Sequence, residues 1–241
     1  MSGPIGVAGR PGRRDEPCPL GVCDGGGFVV DEEQRVAVPC GCRAGRISRG
    51  RARALQSTIP RRYRGVGFDR PPVTSMPEPV VRPVRQYVRR LDQMLDEGRG
   101  LWFFGGPGTG KTTLAMLVSR AALDAGRTVA IYSLPRLLAE IRGTFEDDGE
   151  EGYVPFLDKL AAVDLLHLDD LGAEKTSPWV LEQLYAIVNA RYEEERAMVV
   201  TTNLTDPGDL AGQIGARTVS RIEEMCTPVP IFGEDARRFV A

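Results

Sequence analysis

Gly105-Gly106-Pro107-Gly108-Thr109-Gly110-Lys111-Thr112 decides how this chain is read. It satisfies the phosphate-loop pattern in full: Gly, any four residues, then Gly-Lys-[Ser/Thr]. Such a loop works only between a strand and a helix. Leu101-Trp102-Phe103-Phe104 reads as a short buried strand, and Thr113-Leu-Ala-Met-Leu-Val-Ser-Arg-Ala-Ala-Leu123 reads as a helix. The glycines let backbone N–H groups turn inward on an anion with no Cβ in the way. The helix N-terminus adds partial positive charge at the same place. The loop and its first helical residue, Thr113, thus form a cradle for the phosphates of ATP. Lys111 reaches the β- and γ-phosphates, and Thr112 sets its hydroxyl on Mg²⁺. The alternative is a Gly-rich turn that happens to precede Lys-Thr; the flanking strand and helix argue against it.

Downstream, strands and helices alternate. Thr128–Ser133, Asp164–Asp170 and Ala197–Thr202 read as strands, and Val229–Phe232 as a last short one. Helices are expected from Pro135, over Val154–Val163, over Pro178–Arg196, and around 207–213 and 215–225. Leu181, Leu184, Tyr185 and Val188 share one face of the long helix. An acidic loop spans Glu146–Gly152. This alternation predicts an α/β fold: a parallel sheet with helices on both faces. No internal repeat is seen.

Two further stretches fall on the ligand edge that such a sheet offers at the carboxyl ends of its strands. Asp169-Asp170 ends an apolar strand roughly sixty residues after the loop. Asp169 is expected to hold Mg²⁺ through water, and Asp170 to polarise the attacking water. Thr201-Thr202-Asn203 ends the next strand, where the Asn203 amide can orient water against the γ-phosphate; a turn-favouring Asn is the plainer reading. Arg217 and Arg221 are four apart on a late helix and share a face. One of them could reach the ATP of a neighbouring subunit as an arginine finger, or both could belong to a solvated basic face pairing with Glu223 and Glu224. His167, the sole histidine, is expected to be a satisfied core residue rather than a catalytic one.

Before the loop the composition changes. At 241 residues the chain can hold one ordinary domain and a small one, and a hydrophobic share of 42% suffices for a core. Residues 1–17 are Gly, Pro and charge without periodicity and read as a disordered tail. Cys18-x₄-Cys23 and Cys40-x-Cys42 bracket a predicted hairpin over residues 24–39. Clustered thiolates in a reducing compartment suit tetrahedral Zn²⁺, although the second spacing is irregular and free or redox-active thiols stay open. A module of this size has too little core to fold without the metal. Its expected extent is 18–57, including a basic helix over 43–57. Cys226, far away, reads as a small buried hydrophobe. The proline-rich stretch 58–83 is expected to link into the ATP domain, 84–241, which opens with a helix over Val84–Glu97.

The net charge of −2 conceals an asymmetry: residues 43–90 carry 13 Arg against 2 acids, while 91–241 carry 14 basic and 25 acidic side chains. The basic block is either a nucleic-acid contact or a linker that solvates or pairs with the acidic domain. No apolar run approaches the roughly 20 residues of a membrane helix, and Met1–Arg14 lacks the apolar core of a signal peptide. A cytoplasmic protein with no membrane partner is expected.

Together, Leu165-Leu-His-Leu-Asp-Asp-Leu-Gly172, Trp179, Asn189-Ala-Arg-Tyr192, Thr201-Thr-Asn-Leu204, Asp209-Leu210 and Arg217-x₃-Arg221-Ile-x-Glu-Met225 resemble the DnaC/DnaI helicase loaders and the related IstB transposition ATPases, which are AAA+ proteins. The resemblance covers about 58–241, and the cysteines followed by Ile59-Pro-Arg-Arg-Tyr63 are similar to DnaI-type and phage-type loaders. It implies an AAA+ ATPase that forms homo-oligomers on ATP or DNA, binds single-stranded DNA, and delivers a replicative hexameric helicase onto it. It implies Asn203 as first sensor, Arg221 as the finger with Arg217 beside it, Tyr63 and Arg64 in the adenine pocket, and Arg237 as a stand-in for a second sensor. DNA contact is implied near Arg136, Arg142 and Phe145. Asp170 stands where most AAA+ proteins have Glu, and the lid is short. The rival readings are an IstB-like helper of a transposase and a nucleotide-switched adaptor; Asp170 argues against the second.

Overall fold

The computed structural model describes residues 17–31, 36–43, 45, 47, 59–146, 152–173 and 177–233. The expectations for the tail before Pro17, most of the basic stretch 43–57, the centre of the acidic loop and Arg237 lie outside these residues. The chain divides into two compact units, Met1–Gly50 and Arg51–Ala241.

The first unit is built on a hairpin. β1 (Phe28–Asp31) pairs antiparallel with β2 (Val36–Pro39), Phe28 opposite Pro39 and Asp31 opposite Val36. Cys40 N–H closes on Gly27 O at 3.0 Å, extending the pairing to the turn that carries the second cysteine pair. β-Branched valines suit both strands, and both pleat faces are largely exposed.

The second unit opens with α1 (Glu78–Arg89) and α2 (Leu91–Asp96). There follow β3 (Gly100–Phe104), α3 (Lys111–Asp124), β4 (Val129–Ser133), α4 (Leu134–Glu146), α5 (Tyr153–Ala162) and β5 (Leu165–Asp169). The chain then runs through α6 (Pro178–Glu193), β6 (Ala197–Thr202), α7 (Pro207–Ile214), α8 (Ala216–Met225) and β7 (Cys226–Pro230). The five strands form one parallel sheet in the order β4-β5-β6-β3-β7. Because it is parallel and covered on both faces, its strands read as near-continuous apolar runs.

The alternation of side chains along each strand sorts the core into two layers. Leu101, Phe103, Leu165, Ala197 and Val199 face one way and pack with Val81, Val84 and Tyr87 of α1 and Leu114, Ala115 and Val118 of α3. Trp102, Leu166, Leu168, Met198 and Val200 face the other way, onto α4 to α8. The same alternation puts His167 and Asp169 of β5, and Thr201 of β6, on the α3 side. Arg191 of α6 is fully buried, and its guanidinium donates to the carbonyls of Leu160 (2.7 Å), Val163 (3.0 Å), Asp164 (3.3 Å) and Ala197 (2.6 Å). It stitches the end of α5 and the start of β6 to α6.

Four expectations are corrected. Residues 59–77 are not a bare link: Val66 and Val73 join the core beneath α1 and α3. The first helix starts at Glu78 rather than Val84, because Pro79 sits in its first turn, where an N–H would be unsatisfied anyway; Pro83 lies inside the helix. The helix expected through Glu97 breaks at Arg90 (φ −113°, ψ 24°) into α1 and α2. The last strand begins at Cys226, directly where α8 ends. It is an edge strand whose Ile231 N–H donates to Phe104 O at 2.8 Å, so the alternate residues Pro228 and Pro230 stand where the missing N–H costs the ladder nothing. Among the described residues no helix is long and apolar enough to cross a membrane.

Candidate functional site

All five strands point their carboxyl ends to one edge, where β3 meets the loop that precedes α3. There a cleft of about 680 Å³ opens, within the usual range of a few hundred to about 1,000 Å³ for ligand pockets. Loop geometry explains its glycines. Gly105 (φ 145°) and Gly110 (φ 99°) adopt backbone that side-chain-bearing residues avoid, and a Cβ at Gly105 would collide with the carbonyl of Ile231. Gly106 O accepts from Thr109 Oγ1 (2.9 Å) and from Lys111 Nζ (2.6 Å), so the lysine lies back along the loop that it closes.

Pro107 through Thr113 line the cleft together with Asp169, Asp170 and Asn203. Thr112 Oγ1 donates to Asp169 Oδ1 at 3.0 Å. Thr201 Oγ1 donates to the same oxygen at 2.7 Å and accepts from the Asp170 N–H at 2.9 Å. Asp170 sits at φ 58°, a left-handed conformation that Asp tolerates better than most residues. Its carboxylate accepts from Asn203 Nδ2 at 3.1 Å. Burial alone would push the Asp169 carboxyl up; the neighbouring His167 imidazole and the hydroxyls of Thr201 and Thr112 outweigh it and hold Asp169 below the usual carboxylate range. The donor set, a hydroxyl beside a charged carboxylate, suits a hard cation such as Mg²⁺.

The apolar end of the cleft is less expected. Tyr63 lines it, as the resemblance implied, but Arg64 is not among its lining residues: Arg64 Nε donates to Ile59 O at 3.3 Å, and Arg62 lines the cleft instead. Met76, Val80, Ile231 and Phe232 complete the wall. Thr201 and this wall were missed. Thr201 was visible as part of Thr-Thr-Asn, but only the register of β6 against β5 shows that it faces Asp169. Gly105 and Gly106 form the entry of the loop rather than the wall of the cleft.

Neither Arg217 nor Arg221 lines this cleft. Arg217 is exposed; Arg221 is half-buried between Tyr185 (5.3 Å) and Tyr192 (4.8 Å), donating to Tyr185 OH at 3.2 Å. On α4, Arg136 pairs with Glu140 at 3.1 Å, Arg142 stacks over Trp179 at 4.8 Å, and the exposed Phe145 stacks on Tyr153 at 5.0 Å.

In the first unit the sulfurs of Cys18, Cys23, Cys40 and Cys42 lie within 4.8 Å of one another. Cys18–Cys40 and Cys23–Cys42 are 3.9 and 3.6 Å apart, close to the roughly 3.8 Å edge of a tetrahedron with 2.3 Å zinc–sulfur bonds. The cluster could hold a zinc ion. The Cys23 backbone N–H draws the Cys18 thiol down to about 6, whereas burial pushes Cys42 up to about 12.

Residues 86–210 match the family described as IstB-like ATP binding protein, just over half the chain. The chain belongs to the IstB-like ATP-binding family. The replicative helicase loader DnaC of Escherichia coli K12 is 28% identical over 154 residues, 64% of this chain and 61% of that protein. YdaV of the same strain, described as uncharacterized, is 32% identical over 113 residues, 47% of this chain and 45% of that one. This chain thus spans about half to three-fifths of the length of these curated relatives. The crystal structure of the DnaC helicase loader aligns with a TM-score of 0.63 at 28% identity, over 71% of this chain and 99% of that one. The fold is that of an AAA+ P-loop nucleotide-binding domain. The replication initiator DnaA bound to AMPPCP and single-stranded DNA shares that fold, with a TM-score of 0.60 at 20% identity, over 74% of this chain and 52% of that one.

Proposed function

We propose that this chain is an ATP-dependent loader of a replicative DNA helicase. The reading is supported above all by the meeting of Lys111, Thr112, Asp169, Asp170 and Asn203 at one cleft, on a fold shared with a helicase loader. Lys111 leaves the Gly106 carbonyl and pairs with the triphosphate. Thr112 gives its single proton to Asp169, which leaves its lone pairs for Mg²⁺; bound there, the cation would neutralise charge on the phosphoryl oxygens. Asp170 accepts the proton of the attacking water, and the Asn203 amide fixes its carboxylate. Tyr63, Met76 and Phe232, which line the apolar end of the cleft, would flank the base.

Arg221, with Arg217 beside it, acts on the cleft of a neighbouring copy, so hydrolysis is confined to the homo-oligomer; neither arginine lines its own cleft, which supports this. Single-stranded DNA runs along α4, against Arg136, Arg142 and Phe145, whose charge and exposed ring suit phosphate and base. The four cysteines hold zinc in the N-terminal unit. Turnover is slow, rises with single-stranded DNA, and releases the helicase.

Mixing two inactive variants tests the shared site. Lys111→Ala lacks a working cleft and Arg221→Ala lacks the finger, so each alone is silent while the mixture regains turnover. An Arg221→Ala chain that hydrolyses ATP normally would overturn the mechanism. A second reading, an ATPase helper of a transposase, is favoured by the family match itself. Co-precipitation with helicase or with transposase, with and without a non-hydrolysable ATP analogue, separates the two.

A further inference from the structure

Among the described residues, one buried ring nitrogen beside the cleft lacks a hydrogen-bond partner. His167, at the centre of β5, is fully buried, and its Nε2 makes no hydrogen bond. Buried imidazole nitrogens are usually paired, and an orphan asks for a reason. On the other side of the ring, Nδ1 lies 3.0 Å from Ser119 Oγ of α3. Ser119 Oγ also lies 3.1 Å from Ala115 O.

Ser119 has one proton to give. If it goes to Ala115 O, then His167 Nδ1 carries the ring proton, and Nε2 turns a bare lone pair toward Asp169 Oδ1, 3.8 Å away. Two electron-rich atoms then face each other in a dry interior. If it goes to His167 Nδ1, the ring proton moves to Nε2 and points at the carboxylate. Ala115 O loses nothing, because it still takes the helix bond from the Ser119 backbone. The second arrangement is favoured on both counts.

The same Asp169 oxygen already accepts from Thr112 and Thr201. A third donor, a little beyond hydrogen-bond reach, sits on the buried side of that oxygen. We propose that Ser119 and His167 form a buried relay that positions Asp169: Ser119 fixes the proton on Nε2, and the field of that N–H draws Oδ1 inward so that the other oxygen faces the cleft for magnesium. The geometry suits a positioning residue, one that never touches the nucleotide. Nothing in the phosphate loop itself requires a histidine here, and an apolar side chain would fill the space between α3 and β5 without an orphaned nitrogen. The inference rests on the reading of the cleft as a magnesium–nucleotide site.

The test is binding rather than turnover. The full chain is titrated with methylanthraniloyl-ATP in EDTA and then across a magnesium series. In wild type, magnesium tightens binding with a defined midpoint. In His167→Leu the affinity in EDTA stays within twofold, while the magnesium midpoint rises about tenfold, the lower end of what loss of an outer-shell partner costs a metal site. His167→Gln, whose amide N–H can occupy the Nε2 position, brings the midpoint back to within threefold. Ser119→Ala shifts it in the same direction by less, and decides the matter if His167→Leu does not fold. Wild-type midpoints in both Ser119→Ala and His167→Leu overturn the relay, as does an equal loss of affinity with and without magnesium. A wild-type chain whose nucleotide affinity ignores magnesium sinks the reading of the cleft, and the relay with it.

Discussion

Replacing Thr201 with valine isolates the hydroxyl that ties the two acids together. Thr201 is fully buried, and valine fills nearly the same space, so little cavity is opened. Two bonds go: the 2.7 Å donation to Asp169 Oδ1 and the 2.9 Å acceptance from the Asp170 N–H. A bond to a charged acceptor contributes about 1.5–3 kcal/mol, and a buried N–H left without an acceptor costs about 1–3 kcal/mol. Asp169 keeps Thr112 as a donor, and its side chain is 16% exposed, so water can replace part of the loss. A total near the lower half of the sum, about 3 kcal/mol, is expected. For a chain of this length that lowers the melting temperature by about 6–12 °C. The Asp170 N–H bond also braces a residue at φ 58°. Its loss lets the carboxylate drift, and a displacement near 1 Å costs about a hundredfold in turnover. Thr201→Ser keeps the hydroxyl and should keep turnover within a few-fold.

The stability gap depends on pH. The folded Asp169 is held below its ordinary value of 3.8, so its contribution is present above that pH and is lost as the pH falls through the lower folded value. The gap between wild type and Thr201→Val therefore narrows below about pH 4. Scanning calorimetry and steady-state ATP turnover provide both readouts. A Thr201→Val chain that melts within 2 °C of wild type and hydrolyses ATP at its rate would refute the reasoning.

Lys111→Ala should cut turnover by about 10²–10³, the usual cost of removing one group that stabilises developing charge; a coupled phosphate-release assay reads it. Arg191→Met strips five carbonyls of this donor and should destabilise the chain by about 3–5 kcal/mol; urea unfolding showing under 1 kcal/mol would count against the stitching role. Cys40→Ser should drop zinc from one atom per chain toward none by elemental analysis while nucleotide affinity stays within twofold.

How much of this was legible in the sequence follows from where each piece of information lies. The loop, the acid pair and Asn203 are written locally: a pattern of glycines, or a polar residue at the end of an apolar run, and the sheet edge does the rest. The alternation of strands and helices gave the parallel sheet for the same reason. Thr201 was in plain view, yet its task depends on the register of β6 against β5, a relation between residues 32 apart. The apolar wall of the cleft draws Met76 and Phe232 from opposite ends of the unit, and no local pattern joins them. The prolines before α1 misled for a physical reason: Pro79 stops a helix only if helix precedes it, and here it begins one. The burial of Arg191 has no sequence signature, since its partners are backbone carbonyls that any residue supplies.

The junction between α8 and β7 has a mechanical consequence. The helix ends at Met225 and the strand starts at Cys226, with no slack between them. The helix carries Arg217 and Arg221, and the strand runs out into Ile231 and Phe232 on the wall of the cleft. The two elements behave as one lever arm. A push on the arginine end, from any body seated there, cannot be absorbed by a loop and arrives at the wall of the cleft.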